Sequence, residues 1–426
     1  MTAAPLRPPP QAPPSPPPTL LIAALCAAEV LTMIGVFAFA ALLPAFMAAW
    51  DLSSTEAGWI GGIVFAGYAV AAPVLVALTD RVDARRVFVG GALLAGGANL
   101  AFAVAADGFW SALLLRALAG VGLAGTYMPG LRVLVDRLPP ARRPGAVPLY
   151  TASFSLGSAV SYLIPALVAD LAGWRTAFAV AGLAAVAATA LLVWLPRHRP
   201  EPPADGARGA LLDFRPVFAS RATMGYVLGY VAHMWELFAF RAWIVAFLGF
   251  GLAAGATGPA DAGGTGLLAP GSVATWGALV AMAASIGGAR VATRRGRAAT
   301  TQVFMAASAL MALGFGWCAG LPYPVLAGLA ILYAGLIQLD SAALTTGAVE
   351  TAPAGRRGAT LAVHSLLGFG AAFLGPLLFG LTLDLAGGRD SAAAWGVAFA
   401  LVGGIGLLGI PALALARGRP RTARGG

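Results

Sequence analysis

The sequence predicts an all-α membrane protein with twelve transmembrane helices, arranged as two pseudo-symmetric six-helix bundles. Three observations predict this fold: the composition, the length of the apolar runs, and a motif that recurs in the second half of the chain. Of the 426 residues, 59% are hydrophobic and only 10% are charged. A soluble domain carries about 25% charged residues because its surface faces water. Most of the surface of this protein is therefore expected to face lipid.

The apolar runs have the length that a membrane crossing requires. About 20 mostly apolar residues span the hydrocarbon layer as a helix. Runs of this kind occupy both halves of the chain, at residues 19–46, 57–79, 87–106, 109–135, 145–170, 173–195, 222–250, 271–292, 298–318, 323–349, 358–384 and 392–416. They predict an N-terminal bundle over residues 19–196 and a C-terminal bundle over residues 222–416.

Three segments outside the predicted bundles are polar or rich in proline. Residues 1–18 hold nine prolines and predict a disordered cytoplasmic tail. Residues 197–221 predict a cytoplasmic linker, and residues 417–426 predict a basic cytoplasmic tail. The run that begins at residue 19 contains Glu29 and is too long for a signal-peptide core, so it is interpreted as the first membrane helix.

The arginines predict the topology. The net charge of +10 comes from arginine clusters that lie between alternate apolar runs. Such clusters mark cytoplasmic loops, so both termini are predicted in the cytoplasm of a bacterial cell, with the chain in the inner membrane. The lipid bilayer is the expected partner, and no nucleic acid is expected. The two cysteines, Cys26 and Cys318, lack metal-ligand spacing, and no metal or cofactor is predicted.

A short motif recurs at a fixed distance. Residues 140–146 read PARRPGA and residues 353–359 read PAGRRGA, an offset of 213. The same offset places the basic stretch 80–83 on residues 293–296. Two matches at one offset, both in predicted cytoplasmic loops, indicate duplication of a six-helix unit. Parallel repeats of this type enclose a cavity between the halves that can open to either side.

The loop after the second run resembles a signature of the major facilitator superfamily. Asp80-Arg81-Val82-Asp83-Ala84-Arg85-Arg86 is similar to the pattern Gly-x-x-x-Asp-Arg-x-Gly-Arg-Arg, with Val76 and Asp83 in place of its two glycines. The resemblance extends over nearly the whole chain beyond the proline-rich tail. It implies the major facilitator fold, and it implies that Asp80, Arg81, Arg85 and Arg86 form a cytoplasmic latch between helices.

Two further motifs resemble those of proton antiporters in this superfamily. Residues 116–122 are similar to Arg-x-x-Gln-Gly-x-Gly, with Ala119 in place of the glutamine, and Gly375-Pro376 resembles the antiporter Gly-Pro pair although it lies in the eleventh run. The chain thus resembles bacterial drug and sugar efflux permeases. The resemblance implies a monomeric secondary transporter that exports a small organic solute against entering protons.

Five ionisable side chains fall inside the predicted spans: Glu29, Arg116, Glu236, Arg241 and Asp340. Each costs roughly 2.5–3.5 kcal/mol at the centre of a membrane helix, so they are expected to face a watery cavity or a partner. The alternative is an interhelical ion pair that only fixes packing. His233 is three residues before Glu236, hence on the same helical face, and the two predict a titratable pair. The alternative for His233 is a hydrogen bond within a packed interface.

In the superfamily that this chain resembles, helices 1, 4, 7 and 10 line the central cavity, and these helices carry four of the five charges. Glu236 with His233 is the predicted proton site, Glu29 and Asp340 are further candidates, and Arg116 is the predicted charge partner of a carboxylate. The remaining cavity-lining candidates are Tyr127, Trp235, Arg241, Trp243 and Tyr333.

Two other functions are compatible with such a sequence. One is a facilitator or importer on the same fold, without obligatory proton coupling. The other is a membrane enzyme or sensor, which is disfavoured because the chain contains no His-Glu-x-x-His, no Gly-x-Ser-x-Gly and no Walker loop.

Overall fold

The protein is helical throughout the part of the chain that the computed structural model describes, residues 17–195, 213–254 and 266–416. We refer to residues 17–195 as the N-terminal part and to residues 213–416 as the C-terminal part. Most of the predicted proline-rich tail, most of the predicted linker, and the basic tail 417–426 lie outside the described residues, and so does the loop acid Asp261.

The N-terminal part contains seven α-helices and one short 3₁₀ helix, Pro140–Arg142, in its described residues. Their bounds are α1 Pro18–Met33, α2 Ala38–Ala41, α3 Leu43–Ala49, α4 Ser54–Leu78, α5 Ala84–Ala105, α6 Phe109–Arg137 and α7 Arg143–Val193. Within α7, Gly173 has a φ of 83°, a left-handed conformation that glycine adopts without steric cost. This residue lies between the predicted runs 145–170 and 173–195.

The C-terminal part continues in the same manner, with short 3₁₀ turns at Gly266–Leu268 and Gly316–Gly320. Its helices are α8 Arg215–Ala219, α9 Arg221–Ala254, α10 Pro270–Arg295, α11 Arg297–Phe315, α12 Tyr323–Gln338, α13 Ser341–Glu350, α14 Arg357–Leu385, α15 Ala392–Leu407 and α16 Gly409–Ala414. Helix α11 begins 213 residues after the start of α5, which is the offset between the recurring sequence motifs.

Ten helical segments of the described chain are long and apolar enough to cross a membrane. One of them is the continuous stretch Pro140–Val193 that contains Gly173, and another joins α12 and α13. The shorter apolar helix α1 precedes them. The chain therefore has an all-helical membrane architecture.

The first predicted run is not one helix, and its prediction as an uninterrupted span over 19–46 was wrong. Helix α1 ends at Met33, and the chain turns at Ile34–Phe37 before α2 and α3. The break exposes the carbonyl groups of Gly35 and Val36, and Arg116 of α6 donates hydrogen bonds to both. A long-range donor thus satisfies backbone groups that the helix leaves unpaired.

The two ends of the molecule differ in charge. The end where α4 stops and α5 begins carries the arginines of residues 81–86, and we call it the basic end. The other end, where α4 begins at Ser54, is called the opposite end. One apolar core cluster runs through both parts, whereas two smaller clusters each belong to a single part.

Close approach of helices depends on glycine at several contacts. A Cβ atom at Gly120 of α6 would collide with the Val64 carbonyl of α4. A Cβ atom at Gly58 or Gly62 of α4 would collide with the backbone of α14. Small residues permit this spacing in membrane helices. The second contact brings the two parts together.

Candidate functional site

Buried ionisable groups occupy three places in the helix bundle, and Glu29 marks the first. The carboxylate of Glu29 is fully buried, and its Oε2 accepts a hydrogen bond from the Tyr150 hydroxyl at 3.0 Å. Its Oε1 has no hydrogen-bond partner among the described residues. The predicted cavity residue Tyr127 lies beside it, with its ring 6.0 Å from that of Tyr150. Glu29 is therefore a buried acid with one acceptor available.

Arg116 does not contact a carboxylate in the described structure. Its guanidinium donates to the Gly35 carbonyl at 2.7 Å and to the Val36 carbonyl. Its side chain is 2% exposed. The prediction that Arg116 holds a carboxylate is thus wrong for this conformation, because the break after α1 supplies two carbonyl acceptors that the sequence did not reveal.

Glu236 of α9 occupies the second place, in the C-terminal part. Its Oε2 accepts a hydrogen bond from Ser308 of α11 at 3.1 Å. The Tyr333 hydroxyl interacts with the same carboxylate, although not in hydrogen-bond geometry. Glu236 is 3% exposed, and Oε1 lacks a hydrogen-bond partner within the described part of the chain. The carboxylate is therefore desolvated and only partly satisfied.

His233 pairs with Asp340 rather than with Glu236. The His233 Nδ1 atom lies 2.7 Å from Oδ1 of Asp340, and both side chains are almost fully buried. The ring orientation does not give a hydrogen bond at this distance. Asp340 is placed here by the interruption between α12 and α13. The predicted His233–Glu236 pair was wrong because each side chain turns to a different facing helix.

His364 extends this group of side chains. The ring of Tyr230 stacks on His364 at 3.7 Å and lies 5.9 Å from the ring of His233. The Nε2 atom of His364 is 3.3 Å from the Thr345 hydroxyl. The expectation of simple core packing for His364 therefore omitted a polar neighbour, which only the fold brings near.

Arg241 occupies the third place, between the two parts. Its guanidinium carbon lies 5.3 Å from the ring centre of Phe37 and 5.6 Å from that of Phe238. The Tyr162 hydroxyl of α7 donates to the Arg241 backbone carbonyl at 2.6 Å. Arg241 also lines a narrow cavity, together with Tyr162 and residues of α10 and α12. The prediction of Arg241 as a cavity residue agrees with this placement.

The two predicted tryptophans lie elsewhere. Trp243 is fully buried, donates its indole N–H to the Pro376 carbonyl at 3.0 Å, and stacks on Phe379. It packs in the C-terminal core and is not a lining residue of the cavity beside Arg241. Trp235 is buried, and its indole N–H has no hydrogen-bond partner among the residues described. Neither side chain joins the predicted acid sites.

The predicted latch residues connect helix ends at the basic end. Asp80 pairs with Arg132 at 3.4 Å, and Arg85 donates to the carbonyls of Val193 and Leu195. Asp83, which replaces a glycine of the motif, caps α5 through the Arg85 amide.

The acid that departs from the motif forms the more buried ion pair. Asp83 lies 2.9 Å from Arg137, and the side chains are 6% and 8% exposed. Arg81 and Arg86 are exposed. These contacts join helices of the N-terminal part to one another.

The contacts between the two parts lie toward the opposite end. The carboxylate of Asp384, at the end of α14, accepts from the Ser54 amide at 3.0 Å and from the Thr55 amide at 2.7 Å. Arg389 donates to the Leu52 carbonyl at 3.4 Å. We call the contacts of Asp384 and Arg389 with the α4 N-terminal region the cross-part seal.

Sequence reasoning missed Phe37, Tyr150, Tyr162, Ser308 and Asp384. None of them is an intramembrane charge inside a predicted cavity helix, so the search for costly ionisable groups passed over them. A search for polar or aromatic residues one turn from a glycine would have found Phe37. Among the described residues, no group of three histidine, cysteine or acidic side chains is placed to hold a metal ion.

The chain belongs to the Major Facilitator Superfamily. A family model of that description matches residues 25–367. The fold agrees with this assignment: a solved bacterial homologue of the human lysosomal transporter Spinster, in an inward-facing and unoccupied conformation, superposes with a TM-score of 0.70. That comparison covers 95% of this chain and 96% of the homologue, at 17% sequence identity. The protein is therefore a multi-pass membrane protein with the major facilitator fold.

Two curated relatives are similar over part of their length. The niacin transporter NiaP of Acinetobacter baylyi is 29% identical over 166 residues, which cover 39% of this chain and 37% of that protein. The 4-hydroxybenzoate transporter PcaK of Pseudomonas putida is 31% identical over 157 residues, which cover 36% of this chain and 35% of that protein. Both matches thus span well under half of the relative.

Proposed function

We propose that the protein is a secondary transporter that moves a small organic solute by alternating access. The observation that carries this proposal is the uneven distribution of contacts between the two parts. The cross-part seal lies at the opposite end, whereas the described ion pairs at the basic end connect helices within one part. Such an arrangement favours separation at the basic end. Rocking about the central contacts would then expose buried groups to either side.

The proposal includes twelve membrane crossings in two six-helix bundles, over residues 19–196 and 222–416. Gly173 divides α7 into two stretches of membrane-crossing length, and α1 with α2 and α3 supplies a broken first crossing. The equal spacing of α5 and α11 supports the duplication. The arginine clusters support a cytoplasmic basic end in the inner membrane of a bacterium, with both termini inside. We propose a monomer.

The solute is proposed from the relatives and from the buried polar groups. NiaP and PcaK are named for niacin and 4-hydroxybenzoate, which are both small organic acids. Small organic acids are therefore the first solutes to test. The Spinster homologue that shares this fold was captured inward-facing, and the cross-part seal at the opposite end supports an inward-facing state for this chain.

Proton coupling is the finer proposal, and buried acids support it. Glu236, Glu29 and the His233–Asp340 pair are all shielded from water in this conformation. A desolvated carboxylate that is exposed alternately to two compartments can carry a proton between them, because charging it while buried is costly. The export direction rests on the resemblance of residues 116–122 and Gly375-Pro376 to antiporter motifs.

A pH-gradient experiment tests the coupling. Proteoliposomes that contain the full chain are loaded with niacin or 4-hydroxybenzoate, and tracer flux is measured with and without an imposed pH gradient. We expect Glu236→Gln to abolish the gradient-driven component and to retain exchange at equal pH. The control Glu350→Gln alters an exposed carboxylate that pairs with Arg297 at the basic end, and it should behave as the wild type.

The second candidate is a facilitator or importer without obligatory proton coupling, as the sequence also allows. Accumulation that survives a protonophore would favour it over the coupled mechanism. Gradient-driven flux that is unchanged in Glu236→Gln would remove this residue from the coupling. Flux into vesicles that follows inward proton movement would replace export by uptake.

A further inference from the structure

We infer that Arg241 binds the carboxylate of a small organic anion in the cavity between α7, α9, α10 and α12. The inference deepens the proposed transport function, on which it rests for its biological role. The cavity is lined by Tyr162 of α7, by Phe240 and Arg241 of α9, and by small residues of the other two helices. It lies between the N-terminal and C-terminal parts, where a transported solute must pass.

The charge of Arg241 lacks an internal counterion. The side chain is 8% exposed, and the guanidinium forms neither an ion pair nor a hydrogen bond to the residues that the structure describes. A cation shielded from water is costly unless an anion pairs with it. A bound carboxylate would supply that anion, and it matches the guanidinium with two parallel hydrogen bonds.

The surrounding rings leave the donor groups of Arg241 available. Phe37 and Phe238 approach its guanidinium as cation–π partners, at 5.3 and 5.6 Å from the ring centres. Tyr162 is bonded to the backbone carbonyl of Arg241 and not to its side chain. The guanidinium is therefore positioned by aromatic contacts, while its N–H groups have no protein acceptor in the described chain.

The nearby acids are engaged elsewhere. Glu236 is five residues before Arg241, about 140° away around an ideal helix, and it accepts from Ser308. Asp340 contacts His233. No acidic side chain is among the residues that line the cavity. An external carboxylate would therefore meet no competing negative charge at this place.

The wall opposite Arg241 leaves space for an apolar ligand body. Ala274, Gly277, Ala278 and Ala281 lie on one face of α10, and all four line the cavity. Their spacing of three and four residues places them on a single stripe. Leu237 and Ile244 of α9 supply apolar contact from the other side. The cavity is narrow in this conformation, so the ligand body requires α10 to move away from α7.

One cation in an apolar and aromatic site selects a particular class of ligand. A single carboxylate balances the charge of Arg241, whereas a second carboxylate would be buried without a partner. A flat apolar ring fits between Phe240 and the small stripe of α10. The inferred ligand is thus a small monocarboxylate with a planar apolar body.

Binding of radiolabelled benzoate to the full-length protein in nanodiscs tests this inference. We expect saturable binding that unlabelled benzoate displaces and the uncharged isostere benzamide does not. Arg241→Gln should bind benzoate about 10- to 100-fold more weakly, because a charge-assisted pair is lost. Arg241→Lys should give an intermediate affinity, since the ammonium cannot match the carboxylate with a planar fork. The control Arg175→Gln removes an exposed arginine that stacks on Trp174, and it should bind as the wild type.

Thermal melting separates binding from folding. Without benzoate, Arg241→Gln should melt no earlier than the wild type, because no internal ion pair is lost. Benzoate should raise the melting temperature of the wild type and leave that of the variant unchanged.

Equal affinity in Arg241→Gln, or equal displacement by benzamide, would overturn the inference, and so would a wild type that does not bind benzoate. If counterflow in proteoliposomes then finds exchange of a neutral solute, the transport proposal stands and only the anion site is wrong. If the folded protein exchanges none of the tested neutral or acidic solutes, the transport proposal itself fails.

Discussion

Replacing Asp384 by alanine is expected to open the cross-part seal. The Asp384 carboxylate crosses from α14 to the N-terminus of α4, where it accepts from two amides and from the Thr55 hydroxyl at 2.6 Å. The next amide of α4 is bonded within the helix, from Glu56 to the Ser53 hydroxyl oxygen. Helix α4 therefore relies on the other part of the chain for the acceptors of its first two amides.

The size of the effect follows from these hydrogen bonds. Loss of a helix N-cap costs about 0.5–2 kcal/mol, and a carboxylate at a helix N-terminus contributes about 0.3–1 kcal/mol more. Because Asp384 is exposed to solvent, the lower half of that sum applies, about 1–2 kcal/mol. This energy shifts an equilibrium between closed and open states by roughly 5- to 30-fold. The expected direction is opening at the opposite end.

Distances between spin labels measure the shift. Labels are placed through Asp107→Cys and Asp390→Cys, two exposed positions at the opposite end, after Cys26 and Cys318 have been replaced by serine. Asp384→Ala should increase the population of long distances, and Asp384→Asn should give a smaller increase because it keeps one acceptor.

The matched control is Asp170→Ala. Asp170 is an exposed acid at the same end with no hydrogen bond or ion pair to the residues described. An unchanged distance distribution in Asp384→Ala, in a lipid environment where the wild type samples both states, would refute the assigned role of the seal.

Two further changes test the packing that supports the site. Arg116→Gln should lower the melting temperature, because two buried carbonyls lose their donor at about 1–3 kcal/mol each, whereas Arg116→Lys should recover part of the loss; a melting temperature equal to that of the wild type would show that these bonds contribute nothing. Gly62→Leu should also lower the melting temperature and separate α4 from α14, since added volume in a tight contact costs about 1–3 kcal/mol. The control Gly90→Leu adds the same side chain at a position with open space and should have little effect, so equal losses in both variants would contradict the role of the Gly62 contact.

Local chemistry made several features accessible from the sequence. An apolar side chain prefers lipid to water wherever it lies, so composition and run length were enough to predict helical membrane architecture. The arginine motifs predicted the offset of 213 residues that α5 and α11 share. Buried charge is costly whatever its partner, and Glu29, Arg116, Glu236, Arg241 and Asp340 are all buried as that cost requires.

Partners of the charges were beyond the reach of the sequence. His233 and Glu236 are neighbours on one helical face, yet each turns to a different facing helix, Asp340 for one and Ser308 for the other. Helical spacing specifies which side chains share a face, but it does not specify what packs against that face. The predicted pair failed for this reason.

The sequence by itself determined the membrane class, the repeat and the identity of the costly charges, because these follow from the solvation of individual residues and from chain distance. Only the tertiary structure decided that α1 breaks beside Arg116, that Asp384 caps α4, and that Arg241 lies between two rings without a counterion. Each of these contacts joins residues at least 79 positions apart or depends on an irregular turn. Such contacts arise when whole helices pack, and no periodicity along the chain encodes them.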